Sequence, residues 1–397
     1  MIYLSDRINQ LSESETLAMS RMSRELKAEG HDVINLSVGE PDFFTPDVLK
    51  EAAKQAIDDN YSFYTPVNGY QDLREAICRK LLRDNDLRYT PDQIVVSTGA
   101  KQSIANAMLC LVNPGDEVVV PAPYWVSYKE IVKMAEGKAV YINAGIENNF
   151  KITPEQLEQA ITEKTRAFIF SSPCNPSGSV YSREELEALA RVFEQHPNVY
   201  IIADEIYEHI NFSGKHESIA RFSAIRERVI LINGVSKGFA MTGWRVGYMA
   251  AHPDIAKACT KLQGQVTSGT CSIAQRAALA AMELQPGVTR HMLEKFRERR
   301  DMVLSLLREI PGIGCNVPDG AFYLFINIKA YLGKSDGDQL IDNDAALCMY
   351  LLKKAHIALV PGSAFGDGDC IRFSYATSDE LLTEAVERMK NALAKLK

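Results

Sequence analysis

Six short apolar runs, Ile94 to Ser97, Glu117 to Val120, Ala139 to Ile142, Ala167 to Phe170, Val199 to Ala203 and Val229 to Ile232, follow one another along the chain. Helical stretches such as Gln102 to Leu111 and Arg183 to Glu194 lie between them. Runs this short, this continuously apolar and this rich in β-branched side chains suit strands covered on both faces. Strands alternating with helices specify an α/β fold, a largely parallel sheet wound with helices on both faces. Ligands of such sheets bind outside the carboxyl ends of the strands. The residues just past the runs are therefore the ones to read for chemistry. They are Thr98-Gly99-Ala100-Lys101, Pro123-Tyr124-Trp125, Ser172-Pro173-Cys174-Asn175-Pro176, Asp204-Glu205-Ile206-Tyr207 and Ser236-Lys237. Core packing does not call for so polar and varied a set, whereas one ligand with several functional groups does. The first of them opens a helix, so the N–H groups of Gly99, Ala100 and Lys101 form a phosphate cradle. Neither glycine-rich nucleotide fingerprint occurs, which speaks against dinucleotides and nucleoside triphosphates.

At 397 residues the chain exceeds what one hydrophobic core usually supports, and two domains are expected. A net charge of -7 with interspersed signs offers no basic face for nucleic acid. The start of the chain has no signal-peptide pattern and no run is long enough to span a bilayer, so a cytoplasmic protein is expected. Eight scattered cysteines without a C-x-x-C pair, and seven dispersed histidines, argue for reduced thiols and against a zinc site.

Outside the strand-rich part, Ser12 to Glu29 reads as a helix stopped by Gly30, with Ser14 at its start as an N-cap. Thr45-Pro46-Asp47 reads as a helix start with threonine as cap. The turn-rich segment Ser62 to Gly69 around Tyr64 reads as a loop at a surface or interface. After Pro253 come helices at Cys271 to Leu284 and Thr289 to Leu307. A smaller α/β unit follows, with strands in Ala321 to Ile328 and Ile371 to Tyr375 and closing helices at Ala345 to Lys354 and Ser378 to Lys395. No linker separates the two parts. The boundary is expected within continuous helix, and the N-terminal segment is expected to pack with the C-terminal unit. The resulting division is 1–45, 46–288 and 289–397.

Lys237 lies between two apolar strand-like runs in Arg228 to Tyr248, flanked by Ser236 and Gly238, with Arg245 eight residues on. Alone it reads as an ordinary solvated side chain. In a ligand pocket it reads as an amine that loses its proton and forms a Schiff base with an aldehyde.

Taken with Asp204, Asn175 and the distant Arg372 of Ile371-Arg372-Phe373-Ser374, this lysine resembles that of the class I pyridoxal-phosphate aminotransferases, and the likeness covers nearly the whole chain. It is strongest to the bacterial aspartate aminotransferases, through Val38-Gly39-Glu40-Pro41-Asp42-Phe43, Gly99-Ala100-Lys101-Gln102, Pro123-Tyr124-Trp125-Val126-Ser127-Tyr128 and Ala240-Met241-Thr242-Gly243-Trp244-Arg245. The resemblance implies a seven-stranded sheet in the large domain. It also implies a pyridoxal 5'-phosphate cofactor bonded to Lys237, which moves the substrate proton. Asp204 is implied as partner of the ring nitrogen, Asn175 and Tyr207 of the phenolic oxygen, and Trp125 as the stacking ring. Gly99, Ala100, Lys101, Ser236 and Arg245 are implied as phosphate ligands, with Tyr64 supplied across a homodimer interface. Arg372 and Gly39 would receive the substrate α-carboxylate beside Trp125 and Asn175, and Lys101 with Ser14 the second carboxylate of a dicarboxylate substrate. Cys174 departs from the family's usual asparagine and is read as a spacer. The implied reaction is amino transfer from L-aspartate to 2-oxoglutarate. Its alternatives are an aromatic or prephenate aminotransferase, a β-lyase, or a cofactor-binding regulator without turnover.

Overall fold

The computed structural model describes residues 3–285 and 287–397. Its main sheet has seven strands in the spatial order Ile94–Ser97, Gly247–Ala250, Val229–Gly234, Tyr200–Asp204, Thr165–Ser171, Glu117–Ala122 and Lys138–Asn143. All run parallel except Gly247–Ala250, which is antiparallel to both its neighbours. Glycine is needed at position 247, because a Cβ there would collide with the backbone nitrogen of Ala100, where the next helix begins.

Alternate residues of each strand feed two different cores, as the pleat requires. Val96, Val119, Phe168, Ile201 and Leu231 face helices Asp47–Asp58, Gln71–Asn85, Arg183–Gln195 and Ser272–Glu283. Val95, Val118, Ile169, Ile202 and Ile232 face helices Ala100–Leu111, Ser127–Met134 and Pro253–Val266. Each fully buried Val, Leu or Ile stabilises the fold by about 1.5–3 kcal/mol. The strands are therefore fixed in register from both sides, and the carboxyl ends of the six parallel strands stand at one rim.

A separate core, away from the two faces of the main sheet, is built on the antiparallel strands Tyr323–Asn327 and Cys370–Ser374, paired Phe325 to Arg372, with helices Arg290–Leu307, Asp344–Ala355 and Asp379–Leu393 around them. The N-terminal segment joins this core through Met19, Val33, Ile34 and Leu36, and Ile34–Asn35 pairs in parallel with Ile357–Ala358. So do Ile206, Tyr207, Ile210 and Phe212, which follow directly on the strand Tyr200–Asp204. The turn after Asp204 thus reaches from the main sheet into this core.

Three local expectations change. No single helix crosses residue 289, since one ends at Glu283 and the next begins at Arg290. Thr45 does not cap its helix; its hydroxyl donates instead to the Ala240 carbonyl at 2.8 Å, tying that loop to the one after Lys237. Ser14 occupies the N-cap position of helix Glu15–Ala28, but its side chain makes no cap bond. Gly30 does adopt the left-handed conformation (φ +95°) that ends such helices. Among the described residues, no helix is long and apolar enough to cross a membrane.

Candidate active site

Between the rim of the main sheet and the antiparallel sheet lies a cleft of about 250 Å³. Its walls include Gly39, Ala100, Lys101, Trp125, Asn175, Asp204, Tyr207, Ser236, Lys237, Arg245 and Arg372, with Ser14 at one side. Side chains 14 and 372, at opposite ends of the sequence, are brought together because the N-terminal and C-terminal segments share one core.

Asp204 ends its strand and is 5% exposed. Its carboxylate accepts the Tyr128 hydroxyl at 2.7 Å and the Ile206 N–H at 3.3 Å. Burial is the larger effect and raises its pKa to about 6, against those two hydrogen bonds. Lys237 follows the strand Val229–Gly234 and donates to the Gly39 carbonyl at 2.5 Å. Desolvation lowers its pKa to about 8. A carboxylate and a readily deprotonated amine thus end adjacent strands of one sheet.

Arg372 is 2% exposed and pairs with no carboxylate among the described residues. It donates to Asn175 Oδ1 at 3.0 Å and to the Ser37 carbonyl at 2.6 Å, and its Nε is buried with no acceptor. Its guanidinium lies over the rings of Tyr323, at 4.6 Å, and Phe365, at 5.0 Å. A buried guanidinium without an anion is costly, and a bound carboxylate would offset that cost. Its bond to Asn175 Oδ1 leaves the Asn175 amide nitrogen as the donor for the cleft. Gly39 is required where it stands, since a Cβ would lie 2.7 Å from the Tyr323 hydroxyl.

At the other end of the cleft, helix Ala100–Leu111 begins, and the N–H groups of Ala100 and Lys101 have no backbone acceptor. Gly99 contributes differently from expectation. Its own N–H already donates to the Ser97 carbonyl at 2.8 Å, and it does not line the cleft. What it supplies is space, because a Cβ at position 99 would collide with the Arg245 guanidinium. Arg245 is held by a bond to the Thr242 carbonyl at 2.8 Å. Ser236 completes this end. The ammonium of Lys101 sits 4.9 Å from the centre of the Trp125 ring, although the residue as a whole is exposed. Desolvation of that end, and repulsion from Arg245, lower its pKa. Trp125 in turn meets Tyr128 edge-on at 5.5 Å.

Tyr64 stands apart. It is 99% exposed on the loop after Tyr61 and takes no part in this chain's own cleft. Cys174 is buried, with its thiol toward the Pro123 carbonyl at 3.7 Å, outside the cleft. Two residues gain roles that the sequence reading did not give them. Tyr128 holds Asp204, and Tyr323 shares a 2.8 Å hydrogen bond with the Tyr207 hydroxyl while supporting Arg372. Both look like core aromatics in the sequence, and only Tyr128 lies in a motif quoted for the resemblance.

Residues 31–389 match the family described as aminotransferase class I and II. The chain is 47% identical over 393 residues to an aspartate/prephenate aminotransferase from Cereibacter sphaeroides, covering 98% of each chain. It is 45% identical over 394 residues to an aspartate aminotransferase from Bacillus subtilis, covering 99% of each. The crystal structure of the aspartate aminotransferase from Rhizobium meliloti superposes with a TM-score of 0.97 at 42% identity over the full length of both chains. A family match across most of the sequence, and relatives alike from end to end, make this chain a member of the class I and II aminotransferases.

Proposed function

We propose that the protein transfers the amino group of L-aspartate to 2-oxoglutarate in two half-reactions, with pyridoxal 5'-phosphate as carrier. The observation behind this reading is the convergence of Lys237, Asp204 and Arg372 on one cleft that also holds the exposed cation Lys101. The residues fit the carrier. Two free N–H groups at a helix start, Ser236 and Arg245 suit its phosphate, and buried Asp204, also in the cleft wall, suits its ring nitrogen.

When bound, the carrier supplies an electron sink for the carbanion left at the amino acid's α-carbon. The protein's own groups do the rest. Lys237 Nζ takes the α-proton and returns it, a task open to an amine whose pKa burial has brought to about 8. Asp204 is kept in place by Tyr128 and favours a protonated ring nitrogen. Asn175 and Tyr207 donate toward the phenolic oxygen, and Trp125 fixes the ring plane. Arg372 receives the α-carboxylate with two parallel N–H groups. Lys101, with the uncapped Ser14 hydroxyl nearby, receives the second carboxylate.

Tyr64 fits this scheme as a phosphate ligand in a neighbouring copy. We place the enzyme as a homodimer with shared sites, divided into residues 1–45, 46–288 and 289–397. Eight free thiols are in keeping with work in the cytoplasm. Incubation with 15N-labelled aspartate and 2-oxoglutarate is expected to give labelled glutamate and oxaloacetate in equal amounts. With cysteine, whose β-carbon carries a leaving group, release of sulfide, pyruvate and ammonia would replace transfer by elimination. The name of the Cereibacter relative favours prephenate as a further acceptor, which the same assay checks with prephenate in place of 2-oxoglutarate.

A further inference from the structure

Behind the cleft lies a buried ionic group that the chemistry above does not use. The segment Asp204–His209 sends Asp204 and Tyr207 into the cleft, while Glu208 is absent from its walls. Glu208 is 7% exposed and Lys80, from helix Gln71–Asn85, only 1%. The two form an ion pair, and the Lys80 ammonium also donates to Asn85 Oδ1 at 3.0 Å. The other Glu208 oxygen accepts Asn233 Nδ2 at 2.7 Å, with Asn85 Nδ2 more distant at 3.5 Å.

Asn233 lies in the strand that leads to Lys237, four residues before it, and its own oxygen accepts the Gly234 N–H at 2.7 Å. On the other side of Lys237, a Cβ at Gly238 would lie 2.5 Å from the His209 ring. His209 in turn has its Nε2 3.3 Å from Glu208. The dipeptide Glu208-His209 therefore grips the chain both before and after the lysine. It is continuous with the turn that carries Asp204 and Tyr207.

Taking two charges out of water costs several kcal/mol each, and apolar replacements of such pairs are often at least as stable. Stability alone is thus a weak reason for this pair, whereas fixed geometry at Lys237 is a specific one. We propose that Glu208, paired with Lys80 and bonded to Asn233, is a positioning residue that holds the Lys237 loop in register with Asp204 and Tyr207. The proposal rests on the reading of Lys237 given above.

Two variants cut the linkage at different points. Asn233→Ala leaves the ion pair whole but detaches it from the lysine strand; the double variant Lys80→Met with Glu208→Leu removes both charges together. Each is loaded with pyridoxal 5'-phosphate and measured well below its melting temperature. The expected result is a fall in kcat of about tenfold or more, with KM for aspartate changed less than twofold. A changed circular dichroism of the bound cofactor's absorption band should accompany it, since that band reports ring and lysine geometry. A lower melting temperature with unchanged kcat and cofactor dichroism would overturn the proposal, as would kcat falling while KM rises in proportion. Should the double variant not fold, Asn233→Ala decides the matter alone. If the wild-type protein itself shows no cofactor band, the reading of Lys237 fails instead.

Discussion

The amine of Lys237 titrates near 8 rather than at the ordinary 10.5 because burial penalises its charged form. Only the neutral amine attacks an aldehyde, so the neutral fraction should grow as pH rises through about 8. Stopped-flow mixing of cofactor-free protein with pyridoxal phosphate should give a bonding rate that increases with an apparent pKa near that value. An increase centred near 10.5 would mean that the lysine is solvated. In the proposed scheme, specificity rests on a second lysine. Lys101 stands in the first turn of helix Ala100–Leu111, where the dipole disfavours a cation, and its ammonium is drawn over Trp125 at the cleft. Lys101→Ser should weaken use of aspartate and glutamate roughly ten- to a hundredfold, the scale of about 1.5–3 kcal/mol for a charge-assisted hydrogen bond. Uncharged amino acids should be little affected. Equal losses in kcat/KM for both classes would assign Lys101 to the cofactor or to the fold.

At the scale of elements, most strands were legible in the sequence because they are buried on both faces and so read as unbroken apolar runs; the edge strand Lys138–Asn143 is largely exposed yet keeps the apolar run Ala139 to Ile142. The rim residues were legible because the fold rule assigns ligands to strand ends. The direction and partner of Gly247–Ala250 were not, since an apolar run carries no sign of its orientation, and its insertion between Ile94–Ser97 and Val229–Gly234 is settled by long-range packing. Tyr128, Tyr323 and Lys80 were illegible for a related reason. Each has the appearance of an ordinary core aromatic or helix-surface lysine until a distant segment supplies its partner. Gly247 shows how closely strand and phosphate end are coupled. Gly247→Ala would drive a methyl group into the Ala100 backbone. It should cost about 1–3 kcal/mol as an overpacking change, lower the melting temperature, and weaken pyridoxal phosphate binding at least tenfold in an absorbance titration. Unchanged cofactor affinity would show that the helix start does not bind the phosphate.

On the whole-molecule scale, the main sheet and the core of the antiparallel sheet meet along the cleft, and the turn Asp204–Phe212 leads from a strand of the first into the second. Each contributes what the other lacks: the main sheet supplies the lysine and the aspartate, the antiparallel sheet the arginine. One chain still leaves Phe44, Phe63 and Tyr64 at 94%, 82% and 99% exposure, large aromatic surface of the kind that a partner covers. Sedimentation under assay conditions should give twice the 44.2 kDa of the chain. Tyr64→Phe should weaken cofactor binding in the assembled protein, and a fully active monomer would remove the shared site. The proposed reaction, in which this cleft strips an amino group from aspartate by way of a carrier held at Lys237, can be followed in one half-reaction. It is tested most directly by mixing the purified, cofactor-loaded protein with L-aspartate alone and recording its absorption spectrum. The band of the lysine-bound carrier should be replaced by that of its amine form, with one oxaloacetate released per Lys237, and 2-oxoglutarate should restore the first band. No spectral change with aspartate, or the same change in Lys237→Ala, would contradict it.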